Sequence, residues 1–245
     1  MVEKAKAAGE RIAKYLARAG VASRRDLERM IAAGQIAVDG EVLTAPAFFV
    51  TAANRITVDG KPVSAAEPPR LWRYYKPRGL LTTARDPQGR PTVFDKLPQS
   101  LPRVISVGRL DLDSEGLLLL TNDGALARRL ELPSSGWQRR YRVRVRGCPD
   151  DLALARLKKG IVVRGIAYGP IEVALDRLSA GNSWLTVTLR EGKNREIRRV
   201  FEHLGHPVSR LIRIAFGPFE LGGLAPGGVE EVPAKTIRTK LRVLG

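Results

Sequence analysis

Hydrophobic and polar positions change period several times along this chain, and each change marks an element. Residues 11–19 place Ile12 and Leu16 at helical spacing and stop at Gly20. Ser23 then caps a predicted helix over 24–33, whose apolar side is Leu27, Met30 and Ile31 and whose stop is Gly34. Ile36-Ala-Val38, the turn pair Asp39-Gly40 and Val42-Leu43 predict a hairpin, and residues 55–58 run into a second such pair, Asp59-Gly60. After Val63 the run Ser-Ala-Ala-Glu-Pro-Pro reads as a linker. The expected organisation is a small domain at 8–63, a linker at 64–70 and a larger domain at 71–245.

The larger part alternates differently. Strands are expected at 71–76, 104–107, 117–120, 141–146, 171–176, 184–190 and 212–215, and helices at 123–131, 150–159 and 194–204. Tyr141-Arg-Val-Arg-Val-Arg146 has period two, so one face is apolar and the other presents three arginines. Strands interrupted by helices without a βαβ rhythm predict an α+β fold, a mostly antiparallel sheet flanked by helices.

Charge narrows the partner. The 245 residues carry a formal net charge of +17. Residues 1–64 hold 10 Lys+Arg against 7 Asp+Glu, whereas the rest hold 32 against 18. The positive field therefore belongs mostly to the larger domain, and nucleic acid is the expected partner. No apolar run approaches a membrane span, and the start, MVEKAKAAGERIAKYL, is polar rather than signal-like, so the expected setting is cytoplasmic.

Candidate chemistry is sparse. One cysteine, Cys148, rules out an intrachain disulfide, and two histidines, His203 and His206, fall short of a zinc site, so no metal is expected. No Walker loop, G-x-S-x-G elbow or dinucleotide fingerprint sits in the required context. One segment stands out, Val107-Gly108-Arg109-Leu110-Asp111-Leu112-Asp113-Ser114-Glu115-Gly116, followed by four leucines and Thr-Asn-Asp-Gly. It sets a carboxylate, Asp111, on a short loop between two buried runs, beside an arginine. Asp111 is the candidate nucleophile, and Asp113 and Ser114 are read as loop-stabilising.

Two resemblances follow from these residues. Ala22-Ser23-Arg24-Arg25, then Glu28, Ile31, Gly34, Ile36, Val38, Asp39 and Gly40, resemble the S4 RNA-binding domain, which implies that Ser23, Arg24 and Arg25 face RNA. The Asp111 segment, together with Tyr75-Lys76-Pro77-Arg78-Gly79, Arg139-Arg140-Tyr141-Arg142-Val143 and Glu191-Gly-Lys-Asn-Arg-Glu-Ile-Arg-Arg199, resembles the pseudouridine synthases of the RsuA/RluB type. Within that family the leucine-rich Asp segment looks most like the B-type, large-subunit branch. The resemblance implies isomerisation of uridine in ribosomal RNA, alone or in an assembly intermediate, by a monomer without a cofactor. It implies that Asp111 is the catalytic aspartate, that Tyr141 packs on the target base and handles its C5 proton, and that Arg198 pairs with Asp111, with Arg195 as the rival. Arg109 falls where relatives fill the gap left by a flipped base. Lys76, Arg78, Lys193, Asn194, Arg195, Arg199, Arg210 and Arg213 are expected to contact RNA, mainly at phosphate.

Several positions depart from the family pattern. Tyr75 stands where Asn is usual, Leu132 where His commonly precedes Pro-Ser, Lys193 for a more frequent Arg, and Arg139 for a usual Lys. These put target choice in question more than activity. The alternatives are a synthase for small-subunit or transfer RNA, or a noncatalytic RNA-binding or ribosome-assembly factor of the same fold.

Overall fold

The computed structural model describes residues 9–132, 136–179 and 181–242. Residue 8, residues 243–245 and the Pro-Ser pair after Leu132 lie outside them. The chain divides into two compact units. One comprises Met1–Pro69 with Leu101–Val104 and Asn122–Gly124; the other comprises Arg70–Ser100, Ile105–Thr121 and Ala125–Gly245.

In the first unit, strand β1 (Glu10–Arg11) precedes helices α1 (Ile12–Arg18) and α2 (Arg24–Ala32). Arg11 thus ends a strand paired with β4 (Phe49–Val50) rather than starting a helix. The Ser23 hydroxyl accepts from the Asp26 backbone N–H at 3.2 Å and so caps α2 as expected. Strands β2 (Ile36–Val38), β3 (Glu41–Val42), β5 (Ile56–Val58) and β6 (Lys61–Pro62) form a four-stranded sheet in the order β3-β2-β5-β6. Both Asp-Gly turns have positive φ at the aspartate, 53° at Asp39 and 46° at Asp59, the backbone that tight hairpins require. Ile12, Leu16, Leu27, Ile31, Ile36, Val38, Val50 and Ile56 make the core.

The second unit is organised on one nine-stranded sheet. Its strands are β7 (Leu71–Lys76), β8 (Ile105–Val107), β9 (Glu115–Thr121), β10 (Arg139–Arg146), β13 (Ile171–Ser179), β14 (Asn182–Leu189), β15 (Val208–Phe216), β16 (Phe219–Glu220) and β17 (Val229–Glu231). The main order is β13-β14-β10-β15-β9-β7-β17, with β16 on β15 and β8 on β9. All these pairings are antiparallel except β9 with β15. Gly116 sits at that parallel junction with φ +100°, and a Cβ there would lie 2.4 Å from the Arg213 carbonyl oxygen. Only glycine fits so close an approach.

Helices α3 (Gly124–Glu131), α4 (Asp151–Arg156), α5 (Glu196–His203) and α6 (Ala234–Arg242) complete the unit, with a small hairpin of β11 (Ile161–Val163) and β12 (Ile166–Tyr168). The helix expected over 150–159 gives way to a 3-10 turn, Leu157–Lys159, which Gly160 closes at φ 80°. β11, β12, β16, β17 and α6 were not among the expected elements. β17 is acidic and has no apolar alternation. It is held by pairing with β7 and by the Arg70–Glu231 and Arg73–Glu230 ion pairs at 2.5 and 2.7 Å. Among the described residues, no helix is long and apolar enough to cross a membrane.

Candidate active site

Asp111 rides on the turn between β8 and β9, and that turn is tied down from several directions. Lys76, at the end of β7, is fully buried; its ammonium donates to the carbonyls of Asp111 at 3.0 Å, Ser114 at 2.8 Å and Pro77 at 3.1 Å. Burial pulls its pKa down to about 8, against the pull of Asp111, Asp113 and Glu115. The Gly79 N–H donates to the Leu112 carbonyl at 2.8 Å, and the Thr82 hydroxyl donates to the Leu110 carbonyl at 2.9 Å. Glu131 of α3 accepts from the Gly108 N–H at 2.6 Å. Lys76 was expected to reach RNA; buried and with its three donors engaged, it braces the Asp111 loop instead.

The arginines of the N-R-E-I-R segment meet this loop, but not in the expected pairing. Arg198 places Nε 3.2 Å from Asp113 Oδ2 and donates through Nη2 to the Asp113 carbonyl at 2.9 Å and through Nη1 to Val208 at 3.1 Å. It has no contact of ion-pair length with Asp111. Arg195 grips Asp113 with both terminal nitrogens, at 3.1 and 3.2 Å, and comes within 3.8 Å of Asp111 Oδ2. The cause is local. α5 starts at Glu196, and Arg195 just before it takes the left-handed conformation, φ 52°, which swings its side chain toward the loop. That backbone is costly for a residue with a Cβ, and such strain collects at functional sites.

Asp111 and Asp113 are thus differently held. Burial works to raise the Asp113 carboxyl, but the Arg195 hydrogen bonds and the Arg198 charge overcome it and leave the carboxyl below its ordinary range. Asp111 keeps a one-third exposed carboxylate with a single cation at its edge.

That carboxylate opens into a cavity of about 670 Å³. Tyr141, Leu110, Leu189, Ile197, Leu211 and Phe216 line it, along with Arg109, Lys193, Asn194, Arg195 and Arg213. Leu110 serves as an apolar wall, whereas Leu117 and Leu118 are buried in the sheet. Arg213, expected at phosphate, is also buried. It donates to the Leu117 carbonyl at 2.7 Å, lies 5.3 Å from the Phe216 ring centre and interacts with Tyr141. It stands beside Tyr141 across the β10–β15 pair rather than meeting solvent. Arg210 is paired with Glu115 at 2.7 Å, and Glu115 also accepts from the Tyr75 hydroxyl at 3.1 Å, so Tyr75 serves the sheet at its departure from the family pattern. Arg199 donates to Asn194 at 3.0 Å. Arg78 and Arg109 are exposed.

One cavity residue escaped the sequence reading. Glu196 is 4% exposed and accepts from the Lys193 N–H at 3.1 Å. Burial and the neighbouring Glu191 push its pKa up to about 7. Its only signal was its place between Arg195 and Ile197, on the apolar side of the coming helix. Among the described residues, no cluster of three or more Cys, His, Asp or Glu side chains offers a metal site.

In the first unit the Ser23 hydroxyl is engaged in capping, and it also donates to Asp26 at 2.5 Å. Arg24 and Arg25 are exposed and have no acidic partner among the described residues.

The nine-stranded, largely antiparallel sheet thus gathers an aspartate loop, a tyrosine and arginines around one cavity. The family profile for RNA pseudouridylate synthase matches residues 70–203, and that for the S4 domain matches residues 10–56. The chain belongs to the RNA pseudouridylate synthase family, whose members isomerise uridine within RNA. It is 49% identical over 228 residues to an RNA pseudouridine synthase of Rickettsia felis, covering 93% of this chain and 99% of that one. It is 44% identical to the ribosomal large subunit pseudouridine synthase B of Haemophilus influenzae, covering 98% of this chain and 69% of that one. A crystal structure of a pseudouridylate synthase shares the fold, with a TM-score of 0.65 at 24% identity over 94% of this chain and 99% of that one.

Proposed function

We propose that this protein converts one uridine of large-subunit ribosomal RNA, free or in an assembly intermediate, to pseudouridine, acting as a cytoplasmic monomer. The observation that carries this reading is the Asp111 carboxylate, held at the mouth of the cavity with Tyr141 inside and Arg195 3.8 Å away. The 44% identity to a synthase named for the large ribosomal subunit supports the choice of RNA.

The chemistry fits those groups. The N1–C1′ bond breaks, uracil turns, C5 bonds to C1′, and the C5 proton leaves while N1 gains one. No group is gained or lost, so the reaction as written calls for no cofactor. Asp111 either attacks C1′ or takes a proton from the sugar. Tyr141, beside Arg213, packs against the base and handles the C5 proton. Arg195 and Arg198 reach the loop through Asp113 and hold Asp111 in place. Leu110, Leu189, Leu211 and Phe216 keep water from the cleaved sugar, which would otherwise be left abasic. The nucleotide must leave its stack to enter, and exposed Arg109 is placed to fill the gap. Lys193, Asn194, Arg78 and Arg199, with Arg24 and Arg25 of the S4 unit, contact backbone phosphate.

The test is release of tritium from ribosomal RNA labelled at uridine C5, with native protein and with Asp111→Asn. Native protein is expected to release label from large-subunit RNA. The variant is expected to lose turnover by at least about 10³-fold while keeping RNA affinity within a few-fold. Turnover by the variant would sink the assignment of Asp111. Release only from small-subunit or transfer RNA would overturn the choice of substrate.

A further inference from the structure

Strand β10 turns two unlike faces outward. Tyr141, Val143 and Val145 are buried on one, whereas Arg140, Arg142 and Arg146 are exposed and Arg144 half-buried on the other. The register sets Thr188, Thr186, Trp184 and Asn182 of β14 beside those four arginines, and Arg210 of β15 beside Arg144. Arg140 and Arg210 have carboxylate partners, Glu220 and Glu115. Arg142, Arg144 and Arg146 have none among the described residues. Arg142 instead stacks over Trp184, 4.8 Å from the ring centre. Alternate residues of a strand stand about 7 Å apart, so three arginines without a carboxylate partner follow one another along one face of β10. Their mutual repulsion opposes folding, and a bound polyanion would relieve it.

The borders of the row say what kind of polyanion. On the β13 side stand Glu172, beside Thr188, and Asp176, which accepts from the Thr186 hydroxyl at 3.0 Å. On the other side stand Glu220 and Glu115. The strip, widened at one point by Arg177 beside Trp184, is bordered at the surface by the carboxylates of Glu172, Asp176 and Glu220. A flat anionic membrane would meet those acids, but a single nucleic-acid strand would not. Forked arginine donors interleaved with an aromatic ring match a sugar–phosphate backbone and its bases. We propose that this face of the sheet, the reverse of the one that carries Tyr141, is a second RNA-contact surface. It grips backbone remote from the target nucleotide through Arg142, Arg144 and Arg146, with Trp184 beside them as a stacking platform. This rests on the reading of RNA as substrate.

The experiment compares full-length native protein, Arg142→Gln/Arg144→Gln/Arg146→Gln, and a control of equal charge loss at exposed positions elsewhere, Lys158→Gln/Lys235→Gln/Arg238→Gln. Affinity for a large-subunit RNA fragment is measured across a salt series. The face variant is expected to bind at least about ten-fold more weakly at low salt, with a slope of log K against log salt reduced by roughly two. The control is expected to stay within about three-fold, as non-specific charge loss predicts. Equal behaviour of the two variants would overturn the proposal. So would loss of binding to phosphatidylglycerol vesicles with RNA binding unchanged. If the triple variant melts early, single Arg142→Gln and Arg146→Gln, both at exposed positions, carry the same comparison. Failure of native protein to release tritium from any RNA, with the variant's selective loss of affinity intact, would remove the isomerase reading and leave this surface standing.

Discussion

The entry to α2 and the Asp111 loop are the two places where we propose that charged groups meet RNA, but they are built on different scales. At α2 everything is local. Ser23 caps the helix through Asp26, and Arg24 and Arg25 project from the first turn. The Asp111 loop is gathered from across the second unit. Lys76 comes from β7, Glu131 from α3, Arg195 from the residue before α5 and Arg198 from α5 itself, with sequence separations of up to 85 residues. A local device changes affinity when it fails, because nothing else depends on it. An assembled device changes chemistry, because its parts fix where one carboxylate points.

Five substitutions sharpen that contrast. Lys76→Met removes the ammonium from beneath the loop and leaves three carbonyls without their donor. Turnover in the tritium assay is expected to fall by about 10²-fold or more, with RNA affinity little changed; full turnover would show that the loop holds itself. Arg195→Ala and Arg198→Ala separate two tasks. Because Arg195 is the cation near Asp111, its loss is expected to lower kcat by roughly 10-fold or more with little change in melting temperature. Loss of Arg198, 11% exposed and donating to two carbonyls, is expected to lower both. The reverse pattern would restore the pairing expected from sequence.

Glu196 has a smaller effect with a defined sign. Its folded pKa, about 7, lies above its ordinary 4.5. The folded state therefore holds its proton longer, and the associated stability is present below pH 4.5 and lost as pH rises to about 7. Glu196→Gln is expected to remove that slope, so that its melting temperature gains on native protein by a few degrees between pH 5 and pH 8. Parallel melting curves across that range would show that Glu191 and Lys193 already balance the charge. At the local end of the scale, Ser23→Ala is expected to cost about 1 kcal/mol in stability of the first unit, read by denaturant melts, without touching turnover by more than about two-fold.

How much of this was legible in the sequence follows the same division. The Ser23 cap, both Asp-Gly turns and β7 stood at their expected places because each depends on residues within a few positions. The cavity's central residues, Asp111 and Tyr141, came from motifs. What escaped was decided by distant packing. Lys76 and Arg213 read as phosphate contacts because a lysine or arginine in a basic chain is normally solvated; only the fold shows carbonyls waiting for each of them. Arg198 was matched to Asp111 over Arg195 because helical spacing says nothing of the left-handed turn that redirects Arg195. β17 carried no periodicity to announce it and takes its form from the neighbouring β7, whereas α6 places Ile237 and Leu241 at a helical spacing that went unread.

The parallel junction at Gly116 also sets an order of events. The Arg213 guanidinium closes on the Leu117 carbonyl across 96 residues of chain. β8 and β9 can pair early, since they are near neighbours along the sequence, and β7 can join them before the rest of the sheet exists, but the wall beside Tyr141 waits for β15. Such long-range closure is slow, because its chain entropy is lost before any contact is gained. On a translating ribosome, the aspartate loop would therefore emerge well before the arginines and the wall that fix it, and competence for catalysis would arrive as one of the last steps of the chain's maturation.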